Sequence, residues 1–243
     1  MLFPGEPRLS GSSEPVVGFV DDDVILPCRL QPAESVAEKT VEWTRSDLDP
    51  EFIHIFREGQ ELYDQQNSNF RQRTSLFLHK LRNGNMSLKL SRLKPSDEGN
   101  YTCKLLNRER AGEELLIQVS VVVGAVSEPM ISAVFVEGTK GELKCEAKKW
   151  YPKPEMEWRD GMARIISRDS NSTEHDGYYS VYSTITVEMT PKGIYTCTVR
   201  QQNIHQSKET NYTIPGKSSS VYFMIKHYHS LTLNPLILML TAC

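Results

Sequence analysis

The string LKPSDEGNYTC, residues 93–103, closes a pattern that opens at Cys28 and passes through Trp43. A cysteine, a tryptophan 15 residues later, and a second cysteine preceded two residues earlier by a tyrosine form one constellation: Cys28, Trp43, Tyr101 and Cys103. The chain repeats it. GIYTC, residues 193–197, closes a second copy made of Cys145, Trp158, Tyr195 and Cys197, with the tryptophan 13 residues after its first cysteine. Each copy reads as a disulfide pinning two stacked sheets, an indole in the core against it, and a tyrosine at a corner of the chain. A bridge from Cys28 to Cys103 closes a loop of about 75 residues, worth about 4 kcal/mol on the chain-entropy scale. That is comparable with the whole stability of a small domain. Structural disulfides persist in oxidising compartments, so the folded part is expected to be extracytoplasmic. No C-x-x-C pair occurs, which removes the zinc reading, and the fifth cysteine, Cys243, is the last residue.

These constellations define an all-β chain of two tandem immunoglobulin sandwiches. The 243 residues suit two domains of about 100 residues with tails. In the first, VVGFVDDDVILPC, VEWTR (41–45), FIHIF (52–56), ELYD (61–64), RTSLF (73–77), MSLKLSRL (86–93), NYTCKLL (100–106) and ELLIQVSVVV (114–123) read as short strands at sandwich spacing. The long interval between its cysteines leaves room for two extra strands, so a variable-type layout of nine strands is expected over residues 15–123. Residues 124–127 read as a linker. In the second domain, residues 128–215, ISAVFV (131–136), GELKCEA (141–147), EMEWRD (155–160), YYSVYSTITVEM (178–189), GIYTCTVRQ (193–201) and TNYTIP (210–215) read as strands. Only 52 residues separate Cys145 from Cys197, so a constant-type layout of seven strands is expected. Residues 1–14 are polar and rich in Gly, Ser and Pro, and are expected to be disordered.

The ends are expected to be incomplete or processed. MLFPGEPRLSGSSEP has no apolar core of the kind a signal peptide needs, although a disulfide-bearing domain requires one, so the true start is expected upstream. Residues 216–243 contain no run near the ~20 apolar residues that span a bilayer. Ser218-Ser219-Ser220 followed by the apolar LTLNPLILMLTAC also fits a glycolipid-anchor signal, beside the readings of a lost membrane span and of a secreted form.

The strings VVGFVDDDVILPC, REGQELYDQQ, RTSLF, LKPSDEGNYTC and above all CEAKKWYPKPEMEWRD resemble the butyrophilin group and its relatives, the T-cell costimulatory and coinhibitory ligands. The resemblance covers roughly residues 15–215, and the first domain is also similar to that of myelin oligodendrocyte glycoprotein. It implies a cell-surface ligand that binds a receptor on another cell, a T cell above all, and tunes T-cell activation and cytokine output. A membrane anchor is implied for the full-length form. The alternative is a homophilic adhesion molecule, with self-association as the second partner reading. The resemblance places the partner face on the sheet holding the Trp43 and Cys103 strands. With Trp43, Tyr101 and Cys103 inward, period-two alternation turns Glu42, Thr44, Thr102 and Lys104 outward. On FIHIF either Phe52, His54 and Phe56 or Ile53 and Ile55 are exposed, or both sets are buried. His54 and Phe56 join the face under the first reading, and Arg108 and Arg110 join it from the following loop. Variable-type sandwiches commonly pair an arginine opening the RTSLF strand with the aspartate of the corner, here Arg73 with Asp97. Arg71 is the rival partner.

Four N-x-S/T sequons, at Asn85, Asn100, Asn171 and Asn211, fit a secretory route. Asn171 lies in the polar stretch RDSNSTEHDG, read as a loop, and is the best acceptor; Asn100 sits at the corner before Tyr101, where access is expected to be poor. A net charge of −3 and a pI near 6.1 set nucleic-acid binding aside. No H-E-x-x-H, G-x-S-x-G or phosphate-binding glycine loop is present, His175 beside Glu174 and Asp176 reads as a solvated loop, and DDD at 21–23 alternates faces on a strand rather than converging on an ion. The reading is non-enzymatic, with no cofactor and no metal.

Overall fold

The structure is a computed structural model and describes residues 6–106, 114–135, 140–188 and 190–215. Arg108, Arg110 and the tail 216–243 lie outside the described residues. The chain separates into two compact units, Met1–Ala125 and Val126–Cys243.

Unit 1 contains β1 (Arg8–Ser10), β2 (Val16–Phe19), β3 (Val24–Leu26), β4 (Arg29–Gln31), β5 (Thr40–Thr44), β6 (Phe52–Arg57), β7 (Gln60–Leu62), β8 (Thr74–Leu76), β9 (Leu88–Leu90), β10 (Gly99–Leu106) and β11 (Glu114–Gly124). Six of these form a front sheet in the order β2-β11-β10-β5-β6-β7, and β3-β9-β8 form the opposing sheet. The pairing of β2 with β11 is parallel, while the other ladders of the front sheet are antiparallel. The expectation of disorder over residues 1–14 fails at Arg8–Ser10. Three backbone positions there pair with Gln31, Leu30 and Arg29 of β4, which satisfies polar groups that sequence composition alone leaves open.

The core grows from the quoted constellation. Cys28 and Cys103 are bridged with Cα atoms 6.5 Å apart, inside the usual range. Trp43 is fully buried and donates its Nε1–H to the Met86 carbonyl at 3.0 Å. Tyr101 donates its hydroxyl to the Asp97 carbonyl at 2.7 Å, four residues upstream, and its ring meets Phe70 edge-on at 6.2 Å. This is the tyrosine corner. Gly99 opens β10 at φ 150°, and a Cβ there would sit 2.9 Å from the Arg45 guanidinium that flanks the corner.

Unit 2 contains β12 (Met130–Phe135), β13 (Lys140–Trp150), β14 (Glu155–Asp160), β15 (Ile165–Ser167), β16 (Asn171–His175), β17 (Tyr178–Glu188), β18 (Ile194–Gln201) and β19 (Gln206–Thr213). They form two four-stranded sheets, β12-β13-β17-β16 and β15-β14-β18-β19. The seven strands expected are therefore eight among the described residues. Both β15 and β16 fit into the shorter interval because β15 needs only three residues and the turns around it are tight. The stretch around Asn171, expected as a loop, is the edge strand β16, paired with Tyr178–Tyr182 of β17. Cys145 and Cys197 are bridged, and Trp150, Trp158, Met156, Val181 and Val199 fill the core around them. Tyr195, expected in the core, is half-buried and packs against its edge.

Candidate protein-binding face

The face is held from behind by a buried ion pair. Arg73 and Asp97 are 5% and 1% exposed, and the guanidinium meets both carboxylate oxygens. The rest of the guanidinium is used as well. Nε–H donates to the Ser91 carbonyl at 3.1 Å, Nη1 to the Asn69 carbonyl at 2.8 Å and Nη2 to the Arg92 carbonyl at 3.1 Å. All five N–H donors therefore have acceptors, which is what makes a buried guanidinium tolerable. Asp97 also accepts from the Lys94 amide at 2.9 Å. Sequence reading missed a second arginine. Arg45, 4% exposed, donates to the Ser96 carbonyl at 3.0 Å and pairs with Asp47 at 2.6 Å, with its guanidinium carbon 5.3 Å from the centre of the Tyr101 ring. Burial of the Tyr101 hydroxyl pushes its pKa well above the usual phenol range.

The register of the front sheet places one row of side chains across five strands. Leu62 of β7 is opposite Ile55 of β6, Ile55 opposite Glu42 of β5, Glu42 opposite Lys104 of β10, and Lys104 opposite Leu116 of β11. Residues directly opposite share a face, so the row runs along the side turned away from Trp43 and Cys103. Its centre is charged and paired: Arg57 reaches Glu42 at 3.2 Å and Lys104 reaches Glu114 at 3.7 Å. Its two ends are apolar and open, Leu62 at 37% and Leu116 at 57% exposure. Thr102 and Lys104 are half-buried on the same side.

Four residues expected on this face are not available to a partner. Glu42 and Thr44 are buried although they point away from the core, because β5 is the inner strand between β10 and β6 and the Arg57 side chain lies against Glu42. His54 and Phe56 sit opposite Trp43 and Val41 and so face the core. Both sets on FIHIF are accordingly closed, with Ile53, His54, Ile55 and Phe56 all buried and Phe52 half-buried. His54 joins an internal chain of polar groups. Its Nδ1 is 3.1 Å from Thr74 Oγ1, which accepts from Gln66 Nε2 at 2.8 Å, and its Nε2 lies 3.2 Å from Glu61 Oε1. That last approach is an ion-pair distance without a good hydrogen-bond angle. Glu61 also accepts from Tyr63 and from the Leu76 amide, tying β7 to β8. The His54 ring first, then these donors, hold the Glu61 carboxyl at about 2 against the opposing effect of burial. Leu62, Leu116, Arg57 and Glu114 escaped sequence reading because the row exists only once register is known.

The sequons differ in access. Asn100, Asn171 and Asn211 are exposed, so the poor access expected at Asn100 is not seen. Asn85 is half-buried, its Oδ1 accepts from the Ser87 amide, and the Ser87 hydroxyl is itself buried against the Cys28 amide. His175 pairs with Asp176 in solvent, and no cluster among the described residues has the makings of a metal site.

Two sandwiches with bridged sheets, a variable-type unit and then a constant-type unit, define an immunoglobulin-superfamily protein. Residues 11–122 match the immunoglobulin V-set domain and residues 126–209 match the Ig-C domain of the "Butyrophilin subfamily 3 member A2-like" type. Over both units the chain is similar to the butyrophilins. It is 28% identical to bovine butyrophilin subfamily 1 member A1 over 208 residues, which is 85% of this chain and 39% of that protein. Against "Selection and upkeep of intraepithelial T-cells protein 1" of Macaca fascicularis it is 26% identical over 222 residues, 89% of this chain and 62% of that protein. The chain thus spans about two fifths of the length of the butyrophilins it matches. The crystal structure of bovine butyrophilin superposes with a TM-score of 0.75 at 26% identity, covering 87% of this chain and all of that one. Among the described residues no helix is long and apolar enough to cross a membrane.

Proposed function

We propose that this chain is a cell-surface ligand whose variable-type domain binds a protein receptor on a T cell and modulates activation and cytokine output, anchored at the outer face of the plasma membrane in its full-length form. The reading rests on the row across the front sheet: an internally neutralised charged centre between two exposed leucines on a rigid sheet. Such a surface suits a small, transient interface, with apolar anchors supplying affinity and the paired charges supplying register. Thr102 and Lys104 contribute from β10; Glu42, Thr44, His54 and Phe56 act as its support. The name of the macaque relative, concerned with intraepithelial T cells, points the same way. Affinity is expected to be micromolar and to depend on avidity. The test is staining of activated T cells with tetramers of the chain, with cytokine release as a second readout. L116D is expected to reduce staining at least tenfold, while K89E, on the opposing sheet, leaves it unchanged. Equal staining by L116D and wild type, or no staining of any leukocyte, refutes the reading. Clumping of beads coated with the chain alone would replace it with homophilic adhesion.

A further inference from the structure

The outer face of the β14–β18 ladder in unit 2 carries an arrangement that the front-sheet reading does not use. Glu157 on β14 is buried, and three arginines converge on its one carboxylate. Arg159 lies 2.5 Å from Oε1, Arg200 of β18 contacts the same oxygen, and Arg168, which follows β15, lies 3.5 Å from Oε2. One negative charge holds three positive ones, so the cluster keeps a surplus of two. Lys153 adds a fourth cation to the open groove of about 580 Å³ that Glu155, Glu157, Arg168, Ser170, Arg200 and Gln202 also line. Glu155 accepts from Gln202 at 3.3 Å, and the lining sets Lys153, Arg168 and Arg200 against Glu155 and Glu157, a surplus of one; Asp169, between Arg168 and Ser170 in the chain, and Glu209, across the ladder beyond Thr198, are the further acids near it.

Glu157 does more than neutralise. Guanidiniums repel one another, and a shared buried carboxylate fixes them in place before any ligand arrives, which reduces the ordering cost of binding. The side chains of Arg168 and Arg200, which line the groove, remain 71% and 36% exposed and so present donors to solvent there, while Arg159 lies outside the lining with its Nε buried. Planar guanidinium forks match the geometry of sulfate and carboxylate oxygens. The groove is lined almost wholly by polar side chains, with Pro154 and Met156 the exceptions. It therefore lacks the apolar pockets that a peptide's anchoring side chains would need.

We propose that this groove is a binding site for an acidic polysaccharide of the extracellular space, engaged through its sulfate and carboxylate groups by Arg168, Arg200 and Lys153, with Glu157 as the positioning residue. The chain's net charge of −3 makes the test sharp, because general electrostatics oppose retention on a polyanion. The full chain is passed over immobilised heparin at neutral pH and physiological ionic strength. Wild type is expected to be retained and to elute with added salt. K153E/R168E, two exposed changes that leave Arg159 and Arg200 on Glu157, is expected to flow through, and R200K to elute at lower salt than wild type. K39E/K89E in unit 1 is expected to behave as wild type. Circular dichroism melting of each variant separates loss of the site from loss of the fold. Wild type in the flow-through, K153E/R168E retained like wild type, or loss of retention in K39E/K89E overturns the assignment.

Discussion

Asp97→Ala tests the physics of the variable-type unit most directly. The substitution removes both carboxylate contacts to Arg73 and the acceptor of the Lys94 amide, and leaves a guanidinium that is 5% exposed with only its three carbonyl partners. Breaking one side of a buried pair costs about 3–5 kcal/mol, because the surviving charge stays desolvated. A domain of about 110 residues unfolds with an entropy near 2.1 cal/mol/K per residue, so the loss corresponds to roughly 13–22 °C in Tm. Differential scanning calorimetry of the full chain is expected to show the transition of unit 1 falling by that amount while the transition of unit 2 stays in place. Removing both charges with Arg73→Met and Asp97→Leu is expected to recover part of the loss. Recovery is incomplete because the carbonyls of Asn69, Ser91 and Arg92 lose their donor. A fall smaller than about 4 °C for Asp97→Ala, or a double variant no more stable than the single one, would refute the claim that uncompensated burial sets the cost.

Glu61 gives a pH-dependent counterpart. Its folded pKa, about 2, lies below the ordinary 4.5, so its contribution is fully present above that ordinary value and is lost as pH falls toward the folded one. Urea midpoints measured from pH 6 down to pH 2.5 are expected to fall less steeply for E61Q than for wild type; parallel curves would remove the Glu61 tether as the cause. In unit 2, C145A/C197A opens a loop of 52 residues and is expected to lower the stability of that unit by about 4 kcal/mol, read as a lower denaturation midpoint for its transition with that of unit 1 unmoved.

What could be read before folding was what the chain encodes by residue type at fixed spacing. The cysteines, Trp43, Trp158 and the Tyr101 corner announce themselves, and Arg73 with Asp97 follows from the same pattern. Exposure is a different matter. Alternation gives the side to which Glu42 points, but its burial depends on the strands on either side and on Arg57, two residues past its partner Ile55. On β6 apolar residues occupy both sides, and an irregular register between Trp43 and Thr44 interrupts the count, so no periodic rule could choose a face there. The strand β16 escapes a sequence reading for the opposite reason: Asn171–His175 is polar throughout and is held by its ladder to β17 rather than by a buried stripe. The arginine cluster on Glu157 joins residues from β14, β18 and the segment after β15, and only the register of three neighbouring strands brings them together.

The strand β11 has a mechanical consequence. It forms the Leu116 end of the front row, is laced to β10 along eight residue pairs, runs parallel to β2 near its far end, and ends at Gly124, two residues before the second unit begins in the chain. If a receptor grips the face as proposed, a pull transmitted through the chain at Gly124 would run along this strand, loading its hydrogen bonds side by side in shear rather than opening them one after another like a zip. On the proposed function, the segment that meets the partner is also the one that carries the pull.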